Sequence, residues 1–391
     1  MSSTNDHDDT AAHAVPRAVS APKPGATSVP EQGATSAVTP LRSAHTSVEL
    51  GLDTFGDVTV DASGDLVPSP QVIRNVVEEG VLADRLGLDY FGVGEHHRDD
   101  FAVSAPDVVL AAIAGRTERI RLGSAVTVLS SDDPVRVFQR FATLDAVSGG
   151  RAEVMLGRGS FTESFPLFGY DLADYEHLFE EKLDLFVRLL EEGPVTWSGD
   201  TRSPLVDARL QPTTDSGLRT WVGVGGSPES VIRAARHGLA MVLAIIGGDP
   251  LRFAPFVELY RRALDEYGRA WQPIAIHSPG YVGATDEQAA EEYWPHYREM
   301  HGRIGRERGW PPMTRHQFDQ VAGPDGALYV GSAETVAAKI VRAVDGLGAD
   351  RFDLKYSAGT LPHELSMASI ERYGTEVAPL VRSAVSGRAA A

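Results

Sequence analysis

The chain has 391 residues, with 54 acidic against 36 basic side chains, a formal net charge of -18, and no cysteine. A surface of that sign repels a phosphate backbone, so nucleic-acid binding is not expected; without thiols there is no disulfide, no thiolate metal site and no cysteine nucleophile. No apolar run approaches the length of a bilayer span, no secretion signal is read, and the composition is compatible with a cytoplasmic protein.

Residues 1–46 are rich in Ala, Ser, Thr and Pro and bury too little apolar surface to offset their ordering entropy, so they are read as a disordered N-terminal tail. A barrel domain is expected over 47–384 and a flexible C-terminus over 385–391. Val48 to Phe55 predicts a strand with Asp53 near its end. A helix follows in which Val72, Val76, Val77 and Leu82 recur at helical spacing. Tyr90, Phe91 and Val93, interrupted by Gly92 and Gly94, read as a strand buried on both faces. That strand delivers Glu95, His96, His97, Arg98, Asp99 and Asp100 in succession at its C-terminal end, where ligands collect in parallel α/β proteins. Ala105 to Arg116 predicts a helix and Ile120 to Leu129 a third strand. Asp133-Pro134 opens a helix that closes at Ser148-Gly-Gly150, and Arg151 to Gly157 is the fourth strand.

The middle carries a loop from Arg158 to Tyr170, a long helix from Tyr175 to Leu190 and a small hairpin within Pro194 to Thr214. Alternation resumes with strands at Leu218 to Gly223, Leu239 to Ile246, Ile274 to Gly283 and Arg351 to Tyr356. Helices are predicted over Ser227 to His237, Pro250 to Tyr267, Asp286 to Arg308, Thr335 to Leu347 and Glu364 to Val381. Eight strands with helical partners predict an α/β fold, a TIM-type (β/α)8 barrel with insertions after strands 4 and 7.

Two helix starts suit an anion. Gly223-Val-Gly-Gly-Ser-Pro-Glu-Ser230 ends a strand and opens a helix with Ser227 as cap and Pro228 in the first turn, leaving N–H groups and the positive end of the helix dipole exposed. Gly331-Ser-Ala-Glu-Thr335 has the same pattern, and the sequence leaves open which of the two, if either, holds a phosphate. Arg158, between Gly157 and Gly159, is a candidate partner for the anion. His96 and His97 with Glu95, Asp99 and Asp100 have metal-ligand chemistry. Adjacent residues of an extended strand point to opposite sides, however, and no metal site is expected.

Gly94-Glu-His-His97, Gly123-Ser-Ala-Val-Thr-Val-Leu129, Pro134-Val-Arg136, Leu144-Asp-Ala-Val-Ser-Gly-Gly-Arg151 and Gly157-Arg-Gly159 together resemble, in order and spacing, the bacterial luciferase-like flavin monooxygenases. The resemblance runs from about Val48 to Val381. It implies a barrel that takes reduced FMN from a separate flavin reductase and uses O2 to oxygenate a small organic substrate. It also implies a homodimer formed through the early barrel helices. By position, His96 is similar to the family's catalytic histidine and Glu95 to its neighbour in the motif. Ala125 and Val126 match a non-proline cis peptide beneath the isoalloxazine, and Arg158, Gly226, Ser227 and Ser230 match positions that hold the FMN phosphate. The light-emitting members carry a cysteine near the place of Gly157, so light emission is not expected. Phe55, Phe101, Phe161, Phe165 and Tyr170 are expected around a partly apolar mouth. Two other readings stay open: hydride transfer with the deazaflavin coenzyme on the same barrel, and a non-catalytic flavin-binding barrel subunit.

Overall fold

The short apolar runs become eight parallel strands: β1 (Glu49–Thr54), β2 (Tyr90–Val93), β3 (Arg121–Ser124), β4 (Ala152–Gly157), β5 (Arg219–Val224), β6 (Ala240–Ala244), β7 (Ile274–Val282) and β8 (Arg351–Lys355). The computed structural model describes residues 47–389, so the predicted tail over 1–46 lies outside the described residues. Each strand pairs in parallel with the next, and β8 pairs with β1, which closes the barrel. Gly51 sits in register with Tyr90 on one side and Asp353 on the other.

Eight helices cover the barrel: α1 (Ser69–Arg85), α2 (Pro106–Ala114), α3 (Pro134–Ser148), α4 (Tyr175–Leu189), α5 (Pro228–His237), α6 (Ala254–Glu266), α7 (Ala333–Leu347) and α8 (His363–Arg372). Local chemistry sets their ends. Asp133 accepts from the N–H groups of Val135 and Arg136 at the start of α3, Pro134 occupies its first turn, and Gly149 ends it in the left-handed conformation. Their apolar faces and the outward side chains of the strands form the main core. Inside the barrel, Met155, Trp221, Ala240, Val242 and Ala275 make a smaller cluster.

The insertion after β4 contains the short helix Ser164–Phe168 and, beyond α4, the antiparallel pair Val195–Trp197 and Leu205–Ala208. The one after β7 contains Asp286–Arg308, Arg315–Ala322 and the strand Tyr329–Gly331, which pairs with the end of β7. The third strand departs from expectation: it breaks after Ser124 and resumes at Thr127–Val128, with a cis peptide between Ala125 and Val126. The last helix runs over Ala378–Ala389, past residue 384, where the barrel domain was expected to end. Among the described residues no helix is long and apolar enough to cross a membrane.

A barrel interior this narrow tolerates charge only where it is paired. Arg351, fully buried, lies between the rings of Tyr90 and Trp221, 4.1 Å from each centroid, and donates to Glu153 Oε2 at 2.8 Å. The β8–β1 seam is tied at its mouth end by Asp57, which follows β1. Its carboxylate accepts from Lys355 Nζ at 2.9 and 3.0 Å, from Ser357 Oγ at 2.6 Å and from the Gly359 N–H at 2.8 Å.

Burial alone would raise the Asp57 pKa, but Lys355, the Ser357 hydroxyl and the Gly359 N–H outweigh it and hold it below the ordinary 3.8. Its contribution to stability is therefore fully present above the unfolded value and is lost as pH falls through the depressed folded one. Asp57→Asn leaves the Lys355 ammonium buried without its counter-charge, and a loss of about 3–5 kcal/mol is expected by urea denaturation at pH 7. The gap between native and variant protein should narrow below pH 4, measured the same way.

Candidate active site

The mouth is built on how closely β2 can approach β3. A Cβ at Gly92 would lie 3.0 Å from the Cβ atoms of Ala125 and Asp53, and one at Gly94 would lie 2.5 Å from the Phe55 ring. Two side-chain-free positions thus let the bulge of β3 pack against the end of β2. The bulge keeps its own bonds: Ala125 N–H donates to Val93 O at 2.9 Å, Ser124 Oγ to Met155 O at 3.0 Å and Thr127 Oγ1 to Ser124 Oγ at 2.9 Å. Val126 turns against the interior cluster, and a Cβ on Gly157 would come within 2.5 Å of it. That close approach accounts for the glycine at 157.

Beyond β2 the successive side chains diverge. Glu95 is buried; its Oε2 accepts the Val128 N–H at 3.0 Å, and its Oε1 lies 3.0 Å from His97 Nε2. His96 turns into an aromatic enclosure. Its ring stacks on Phe101 at 4.3 Å and lies 4.9 Å from Phe55 and 5.3 Å, edge-on, from Phe161. Its Nδ1 is 3.6 Å from Glu163 Oε1, a few tenths of an ångström beyond a hydrogen bond. His96 and His97 therefore serve different partners. Of the five aromatics expected at the mouth, Phe55, Phe101 and Phe161 gather at His96. Phe165 instead stacks on Tyr175 at 5.5 Å and Tyr170 covers Lys182 Nζ at 4.1 Å, so both pack within the insertion.

The end of the Asp286–Arg308 helix covers this enclosure. Glu307 accepts two 2.7 Å bonds from Arg98, and Arg303 pairs with Asp100 at 3.0 Å. Arg98 and Arg308 lie over Phe161 at 4.6 and 5.1 Å. Behind Phe55, His277 on β7 holds Asp53 through a 2.7 Å contact between Nδ1 and Oδ2. Burial disfavours the charged His277 ring, but Asp53 more than compensates and raises its pKa.

The four residues expected at the phosphate are together. Ser227 caps α5 by accepting the Ser230 N–H at 3.2 Å, and the two hydroxyls are 2.9 Å apart. Arg158 Nη2 donates to Ser230 Oγ at 3.3 Å; Gly226 stands at φ +108°, where a side chain is strained, and a Cβ at Gly225 would meet nothing within 4 Å. The sequence reading missed Arg233, buried one turn further along α5, which also donates to Ser230 Oγ at 3.3 Å. Its three-residue spacing from Ser230 was the available signal. Exposed Glu176 holds both cations, pairing with Arg158 and with Arg233 at 3.2 Å. The second helix start is different. Asp286 already accepts there from the Ser332 N–H at 2.7 Å and from Thr335 Oγ1 at 2.9 Å, so α7 carries its own anion.

With this geometry in place, comparison with known proteins is informative. The family model for luciferase-like monooxygenases matches residues 54–351. The uncharacterized protein y4vJ of Sinorhizobium fredii is 24% identical over 337 residues, 81% of this chain and 94% of that one. The 4-hydroxyprotoasukamycin monooxygenase of Streptomyces nodosus subsp. asukaensis is 33% identical over 250 residues, 59% of this chain and 64% of that one. Among solved structures, the monooxygenase RslO1 from Streptomyces bottropensis superposes with a TM-score of 0.74 at 23% identity, covering 85% of this chain and 99% of its own. The oxygenating constituent of 3,6-diketocamphane monooxygenase of Pseudomonas putida, solved with FMN, gives 0.67 at 18% identity, covering 85% and 98%. An F420-dependent secondary alcohol dehydrogenase also gives 0.67 at 18%, covering 86% and 99%. At these identities the structures share the fold with this chain.

Arg158, held by the exposed carboxylate of Glu176, should exchange it for a better anion. Arg158→Ala is expected to weaken binding of inorganic phosphate about tenfold or more, the size of a charge-assisted hydrogen bond. Glu176→Gln should tighten it severalfold; isothermal titration at low salt measures both.

Proposed function

This chain belongs to the luciferase-like monooxygenase family, and from that premise we propose that it is a flavin-dependent monooxygenase, taking reduced FMN from a separate reductase and O2 to oxygenate a small, partly apolar organic substrate. The observation that carries the reading is the pairing, within one barrel, of a cradle for a phosphate at α5 with a histidine in an aromatic enclosure beside the Ala125–Val126 bulge. The residues present fit the cofactor. Arg158, Arg233, Ser227, Ser230 and the N-terminus of α5 would hold the phosphate. The backbone at Gly226 admits close approach, and the bulge is where the flavin ring would rest. When bound, reduced flavin supplies the electrons that activate oxygen.

The side chains have separable tasks. Phe55, Phe101 and Phe161 exclude water from the reacting centre. His96 holds or moves a proton at a ring nitrogen. Glu95 anchors the bulge through the Val128 N–H and so fixes the floor on which the ring would lie. Hydride transfer with the deazaflavin coenzyme is the second reading, supported by the F420-dependent dehydrogenase fold matching this barrel as well as the FMN-bound one does. A homodimer belongs to the same proposal, and sedimentation of the full chain tests it.

Anaerobic titration separates the two readings. Reduced FMN should bind more tightly than the reduced deazaflavin, and admission of oxygen with an apolar ketone or alkene should consume O2 and give an oxygenated product. Binding of the deazaflavin alone, with no oxygen uptake, overturns the proposal. His96→Ala should lower product formation by about 10²–10⁴ while the Kd for reduced FMN stays within about threefold. An unchanged rate would remove His96 from the chemistry.

A further inference from the structure

We propose that Glu163, not the adjacent Glu95, is the positioning residue for His96: it holds the ring by Nδ1 and leaves Nε2 as the nitrogen that handles the proton. The proposal rests on the reading of His96 as the acid-base group. Both Glu95 oxygens are committed elsewhere, one to the Val128 N–H and one to His97 Nε2, each at 3.0 Å. Glu163 reaches the pair from the loop after β4. Its Oε1 lies 3.6 Å from His96 Nδ1 and accepts the His97 N–H at 3.4 Å. Its Oε2 is buried and has no hydrogen-bond partner. A buried carboxylate oxygen left unpaired is costly, and such groups persist where function needs them.

Burial favours the protonated acid, but His96, the backbone N–H of Glu163 itself and the His97 N–H outweigh it and keep Glu163 below its ordinary pKa. A carboxylate facing Nδ1 selects the tautomer that carries its hydrogen there, which directs the Nε2 lone pair away from the loop. A contact somewhat too long in the resting protein is common for catalytic pairs, which tighten when the site fills. Several other charged or titratable groups surround the pair. Glu95 and His97 lie on the same loop, Lys355 on β8 and His277 on β7 lie across Phe55, and Arg98 and Arg308 lie across Phe161. Among the described residues, the charged group that reaches a His96 ring nitrogen is Glu163 and none of these.

The loop that brings Glu163 is itself held by the insertion, since Arg308 donates to Ser160 O at 3.0 Å. The contact that holds the loop after β4 over the mouth thus also supports the placement of Glu163 beside His96.

The test is ¹⁵N NMR of the ring nitrogens in the full chain at alkaline pH, with His96→Asn used to assign the signal. It is paired with pH profiles of turnover for Glu163→Ala, Glu163→Gln and Glu163→Asp. The native ring should carry hydrogen on Nδ1, and Glu163→Ala should return it to the Nε2–H form favoured by free imidazole. Glu163→Ala should lower kcat about tenfold to a hundredfold with little change in KM, the usual scale for a residue that orients another. Glu163→Gln, nearly isosteric, should keep the tautomer but move the acid limb of the profile to lower pH, because the negative charge beside the ring is gone. Glu163→Asp should recover part of the rate. An unchanged tautomer in Glu163→Ala together with an unchanged profile in Glu163→Gln overturns the proposal even if kcat falls, because that pattern is loop support alone. The NMR measurement needs neither flavin nor substrate. A tautomer switch without oxygen chemistry would leave the positioning role standing and remove only the monooxygenase reading.

Discussion

The candidate site depends on one carboxylate. Glu95 takes the Val128 N–H with one oxygen and faces His97 Nε2 with the other, and so joins the loop after β2 to the bulge of β3. The Val128 N–H belongs to the short segment that resumes pairing with β4 after the cis peptide, and a buried N–H there needs an acceptor. Glu95 supplies it from the neighbouring strand. A residue that reads as a reactive group in a charged cluster thus anchors the backbone of the bulge, while the ring of His96, on the other side of the same loop, faces Glu163 instead.

Charge is distributed with equal economy. The chain carries a formal charge of -18, yet the start of α5 gathers Arg158 and Arg233 about one serine. Arg233 is buried, and a buried guanidinium is tolerated only with hydrogen-bonding partners on its planar fork. Glu176 and Glu180 provide them. Because Glu176 is exposed, its hold on Arg158 is weakened by solvent and salt, which suits a position that a ligand phosphate would take over.

Much of the barrel was legible because its elements are written locally. Asp133-Pro134 and Gly149 bound α3, Ser227-Pro228 and Gly238 bound α5, and the long helix over Asp286–Arg308 begins and ends where its polarity pattern does. What escaped were relations between distant residues. Nothing near Gly331 reveals that Asp286 fills the α7 start from 46 residues upstream, which distinguishes it from the otherwise similar start at α5. Glu163 lies 66 residues from the His97 N–H it accepts, in a stretch that reads as an undistinguished loop. The β-branched composition of Ile120 to Leu129 favours one continuous strand, and no propensity marks a cis bond; the break was implied only by resemblance. The Arg315–Ala322 helix and the strand Tyr329–Gly331 are too short to stand out by periodicity.

The way the mouth is closed bears on how such a site would be supplied. Arg98, Asp100, Arg303 and Glu307 join the β2 loop to the end of the Asp286–Arg308 helix, and Arg98 and Arg308 sit over Phe161. Partly exposed ion pairs of this kind contribute about 0–1 kcal/mol each and are screened by salt. The barrel beneath is instead held by buried pairs such as Asp57 with Lys355 and Arg351 with Glu153, which break only at high cost. The two kinds of contact divide the molecule into a frame that stays closed and a cover held by weak, individually replaceable contacts. A cofactor supplied by another protein, as proposed above, would enter past such a cover. The loop that this cover holds, through Arg308 and Ser160 O, is also the one that carries Glu163 to within 3.6 Å of His96 Nδ1.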